Sequence, residues 1–70
     1  MGNMKIGKFS GETRGKTEAG RRRIVIRNVR PGEVALVEDE AKNLPNYVSH
    51  RTIRRADGSG NYDVFIYLSV

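Results

Sequence analysis

Seventy residues with 37% apolar content and no cysteine allow one small domain and exclude disulfide staples, thiolate metal centres and thiol catalysis. Thirteen Lys and Arg against eight Asp and Glu give a net charge of +5, and a core this small leaves no room for a large interior cleft around a buried substrate. Composition therefore favours a binding module over an enzyme.

Met1 and Gly2 open the chain without a myristoylation signal, because Ile6 stands where Ser or Thr is required; Met4 reads as an alternative start. The apolar runs Ile24–Ile26, Val34–Val37 and Val64–Leu68 fall far short of the ~20 residues of a membrane span. No secretory signal precedes them. The expectation is a cytoplasmic protein of one domain, 1–70, without membrane contact.

Lys5–Phe9 reads as a short strand. Residues 10–20 hold three glycines and no large apolar side chain and read as a flexible loop. Within them Gly11 to Gly15-Lys16-Thr17 approaches a phosphate-binding loop. The pattern needs four residues between the first glycine and the Gly-Lys pair, however, and only three are present. Arg22–Val29 is a strand built on β-branched Ile24, Val25 and Ile26, and Arg30-Pro31-Gly32 is a turn.

Residues 33–44 admit two readings. Val34-Ala35-Leu36-Val37 followed by acidic residues suggests a strand running into a loop. Val34, Val37, Ala41 and Leu44 also lie at helical spacing, and Pro45 would end such a helix. Tyr47–Arg55 and Tyr62–Val70 then flank the turn residues Asp57–Asn61 and should pair as an antiparallel hairpin. In the last strand Val64, Ile66, Leu68 and Val70 share one face, and Asp63, Phe65, Tyr67 and Ser69 the other.

The favoured architecture is mostly β, a five-stranded antiparallel barrel of OB- or SH3-like type, because closure removes exposed edges. The alternative is an α+β fold with one helix at about 33–44 on a sheet. An unpaired edge strand would permit a homodimer.

Charge is uneven along the chain. Residues 1–30 carry nine basic and two acidic groups, residues 31–46 one and four, and residues 47–70 three and two. Arg21, Arg22, Arg23, Arg27 and Arg30 belong to the third strand's neighbourhood, and Arg51, Arg54 and Arg55 to a later one. A folded sheet could merge them into one patch for phosphates, with Lys5, Lys8 and Lys16 extending it. The planar guanidinium donates paired hydrogen bonds to phosphate and stacks on bases. Tyr47 and Tyr67 are the candidates for base stacking, whereas Phe9 and Phe65 read as core. His50 has no second histidine or sequence-adjacent carboxylate for a metal site or triad. Glu38, Asp39 and Glu40 read as a solvated acidic loop that could repel nucleic acid from one side. No cofactor or metal is implied, and no catalytic residue stands out.

Ile6-Gly7-Lys8-Phe9, Val37-Glu38 leading through Lys42-Asn43-Leu44-Pro45-Asn46-Tyr47, and Asp57-Gly58 before Tyr62 together resemble a family of short proteins of bacterial plasmids and integrative elements, a domain of unknown function. The chain lacks the tryptophan that family carries before the hairpin. The resemblance implies a mostly β fold and a mobile-element setting, and no activity.

The expected function is non-enzymatic nucleic-acid binding, single-stranded or weakly sequence-specific, through an arginine-rich sheet surface. The alternative is a small protein-interaction module or inhibitor from a mobile genetic element that docks on a host protein.

Overall fold

The computed structural model describes residues 3–18 and 20–69. Strands β1 (Asn3–Ile6), β2 (Phe9–Lys16) and β3 (Arg22–Val29) come first. A 3₁₀ turn (Pro31–Glu33) leads into helix α1 (Val34–Lys42), and β4 (Tyr47–Arg54) and β5 (Tyr62–Leu68) complete the order. All five strands pair antiparallel in one sheet, β1-β2-β3-β5-β4.

The mostly β fold of five antiparallel strands expected from the sequence is present, though not all of the strands are the ones expected, and the sheet is open with edges β1 and β4. Residues 33–44 explain why no barrel closes. They form a helix rather than a strand and an acidic loop, and a helix laid on the apolar face buries it without the sheet curling on itself. Val37 and Ala41 are fully buried beneath α1, and Val34 and Leu44 are partly so. The sheet answers with Ile6, Ile24, Ile26, Val29, Val64, Ile66 and Leu68. At its centre the register sets Ile24 opposite Ile66 and Ile26 opposite Val64, β-branched pairs that pack well across neighbouring strands. The helix ends as the sequence suggests, with Asn43 N–H donating back to the Glu40 carbonyl at 3.2 Å and Pro45 barring another turn.

The first twenty residues differ from their sequence reading. Lys5–Phe9 is a hairpin rather than a strand: Ile6 pairs with Phe9, and Gly7 and Lys8 form the two-residue loop. Gly7 adopts φ 60° at the first loop position, as a turn matched to strand twist requires there. The expected flexible loop at 10–20 is strand as far as Lys16. Only beyond it does the chain turn, with Thr17 N–H donating to Arg21 O at 2.8 Å and Gly20 N–H to Thr17 O at 2.9 Å. Gly11 misled because its reason is packing: a Cβ there would stand 2.6 Å from Ile24 Cγ2. Glycine inside a strand marks such a close approach.

Arg22–Val29 and the hairpin of β4 with β5 form where expected; Val70 lies outside the described residues. A bulge between Ile26 and Val29 has Asn28 at φ 62°. Its N–H donates to Asp63 Oδ1 at 3.0 Å, and its own Oδ1 accepts from Asn61 Nδ2 at 2.8 Å. The extra residue turns Val29 back to the buried side.

Candidate nucleic-acid interface

Strand side chains alternate between faces, so β5 serves both sides of the sheet. Val64, Ile66 and Leu68 lie under α1, and Asp63, Phe65 and Tyr67 occupy the opposite, open face. Two rungs cross that face. One runs Arg14, Arg23, Tyr67, Ser49 through β2, β3, β5 and β4, and the next runs Glu12, Val25, Phe65, Arg51. Val25 is buried at 2% exposure yet stands apart from the helix-side cluster, so its open-face neighbours cover it. Phe65 and Tyr67 are half-buried, and Arg14 and Arg51 are exposed. Phe65, read as core, belongs to this face. Phe9 does pack against the helix-side core.

The fold brings together some of the arginines singled out in the sequence and separates others. Arg23 and Arg51 share the open face, on either side of β5. Arg27 is also there but is paired with Glu12 (3.3 Å). Arg55 is neutralised twice, by Asp57 at 2.9 Å and Asp63 at 2.7 Å, and these carboxylates hold its guanidinium even more firmly protonated. The Asp57 carboxyl is in turn held far below the usual range, first by the Ser59 hydroxyl and N–H and then by Arg55. Arg22 and Arg54 pair with Leu68 and Tyr62 on the helix-side register. Arg21 sits in the turn after β2, its N–H on Thr17 Oγ1 at 3.2 Å. Arg30 precedes the 3₁₀ turn, close enough to Glu33 to add to the depression of that carboxyl, which comes chiefly from the Lys8 ammonium 2.9 Å away.

Sequence reasoning passed over Arg14, which faces Arg23 directly across the β2–β3 ladder. Its signal was the alternation of Ser10, Glu12 and Arg14 with Phe9, Gly11 and Thr13, a period of two that the glycines masked. Among the described residues Arg14, Arg23 and Arg51 have no carboxylate within ion-pair distance. The Arg23 Nε is covered and has no hydrogen-bond partner among them.

Tyr47 lies elsewhere than the stacking role required. It sits opposite Leu68 and packs against the helix-side core, with its hydroxyl 2.6 Å from His50 Nδ1. His50 Nε2 is 3.4 Å from Glu38 Oε2, which also accepts from Thr52 Oγ1 at 2.8 Å. In the Nε2–H tautomer the tyrosine donates to Nδ1 and the histidine to the carboxylate. Glu38 thus reaches His50 from the helix, a partner invisible in sequence because eleven residues intervene. The network is a polar seam along the junction of α1 and β4. Among the described residues no three His, Asp or Glu side chains group as a metal site, and no helix is long and apolar enough to cross a membrane. No protein family, curated protein or solved structure matches this chain.

Proposed function

We propose that this chain is a non-enzymatic nucleic-acid-binding protein that grips phosphates through its open sheet face, with weak sequence specificity. The observation that carries the reading is the group Arg14, Arg23 and Arg51, three guanidiniums on one face without carboxylate partners among the described residues. Like charges directly opposite on a ladder repel, and a covered donor without a partner costs about 1–3 kcal/mol. Arg14 facing Arg23, with the Nε of the latter unmatched, is therefore a local cost that a bridging phosphate oxygen would relieve. The acidic residues Glu38, Asp39 and Glu40 ride on α1, behind the sheet, where they would repel a polyanion and orient it toward the open face. Arg27, Arg55 and Tyr47 fall outside the binding set because the protein's own groups already engage them.

Titration of fluorescein-labelled oligonucleotides by anisotropy, at about 50 and 200 mM salt, tests this. Binding should weaken steeply with salt, and Arg51→Ser should lower the slope of log K against log salt by about 0.7–0.9. Lys42→Ser, at the C-terminal end of α1, should leave the slope unchanged. No binding of any oligonucleotide at about 50 mM salt would end the reading.

A further inference from the structure

Resting on that reading, we infer that the open face takes single-stranded nucleic acid with two successive bases pulled apart, one on Tyr67 and one on Phe65, and that it discriminates against duplex. The two aromatics are at i and i+2 on β5, an interior strand between β3 and β4, so their attachment points are separated by about 6.8 Å. Bases stacked in a duplex advance by about 3.4 Å per step along each strand. A duplex also keeps its base faces covered by neighbouring base pairs. Only a strand free to unstack can present one face to each ring and stretch its step to fit.

The flanking groups set the path of the backbone. Tyr67 lies between Arg23 on β3 and Ser49 on β4, and Phe65 lies between Val25 on β3 and Arg51 on β4. The unpaired guanidiniums are therefore diagonal: Arg14 and Arg23 beside the first ring, Arg51 beside the second on the far flank. A backbone crossing β5 obliquely meets the first pair before the bases and Arg51 after them. Beyond Phe65 the cations of the face are already engaged. Asp63, next on β5, binds Arg55, and Glu12 on the Phe65 rung binds Arg27. Neither guanidinium is free to continue the phosphate path at that end, which limits the stacked step to two bases. Ser49, with a hydroxyl that donates and accepts, is the neutral polar group opposite Tyr67 on β4 and tolerates any base there.

The test compares labelled dT12, labelled U12 and a 12-base-pair duplex of the same length at about 50 mM salt, with wild type and the variants Tyr67→Leu, Phe65→Leu and Tyr47→Phe. The expected result is tighter binding of one or both single strands than of duplex, by tenfold or more. Each leucine variant should weaken single-strand binding about 5- to 100-fold with the salt slope preserved, and Tyr47→Phe should bind as wild type. Quenching of tyrosine fluorescence on adding dT12 or U12 to the wild-type protein gives a readout that needs no variant. Equal affinity for duplex and single strands, or leucine variants that bind as wild type, overturns the stacking inference while salt-dependent binding through the arginines survives. Absence of binding by every probe overturns both.

Discussion

The two faces of this sheet share their strands, yet only one of them is explained by folding. On the helix side, Ile24, Ile66, Val64 and Val37 are fully buried and each has an aliphatic partner. Even the polar groups there are matched, Tyr47 to His50, His50 to Glu38, and Thr52 to Glu38. On the open side the same strand β5 presents half-buried Phe65 and Tyr67 beside Arg23 and Arg51, which have no carboxylate partner among the described residues. A face that serves stability satisfies its groups internally, whereas a face that serves a partner keeps some of them unsatisfied until the partner arrives.

Truncation of one isoleucine on each face gives the largest expected contrast. Ile66→Ala leaves a cavity beneath α1 and should cost about 2–5 kcal/mol, much of the roughly 4–10 kcal/mol that a 70-residue domain commands. Ile53, 42% exposed on the open face opposite Asp63, should cost below about 1 kcal/mol as Ile53→Ala. Urea denaturation of the two variants measures both, and similar losses would show that the open face is a second core. A smaller effect belongs to the seam. Glu38→Ala strips the acceptor from Thr52 Oγ1 and the partner from His50 Nε2, both half-buried, and should cost about 1–2 kcal/mol with nucleic-acid affinity unchanged. A loss of affinity would move the binding surface toward the helix.

How much of this could be read from the chain depends on the range of the interactions. β3 and the β4–β5 hairpin were legible because Ile24-Val25-Ile26 and Asp57–Asn61 encode strand and turn locally. The helix was undecided because Val34, Val37, Ala41 and Leu44 satisfy helical spacing while the first four of its residues also suit a strand. What chose between them is the sheet face waiting to be covered, a tertiary fact. β2 was misread for a similar reason: Gly11 is explained only by Ile24 Cγ2 across the ladder. Of the candidate site, Arg23, Arg51 and Tyr67 were found from residue type alone. Their company was not, since ion pairs such as Arg55–Asp63 and Arg27–Glu12 decide which arginines stay free, and pairing across strands is set by register.

Arg14 gives the smallest change in stability and the sharpest separation of the two faces, because its sign is reversed. Placed opposite Arg23, it should repel its neighbour, so Arg14→Thr removes a like-charge pair and substitutes a good strand former. Stability should rise by about 0.2–1 kcal/mol at low salt. The gain should shrink in ~0.5 M salt as screening weakens the repulsion already present in the wild type. Affinity for oligonucleotides should fall in the same variant. Parallel urea and anisotropy measurements would then show stability and binding moving in opposite directions, the behaviour of a residue whose charge serves a polyanion at the expense of the fold. If Arg14→Thr instead destabilises the protein, the aliphatic part of the arginine is covering the face as ordinary packing. The contrast between the two sides of the sheet would then lose its strongest support.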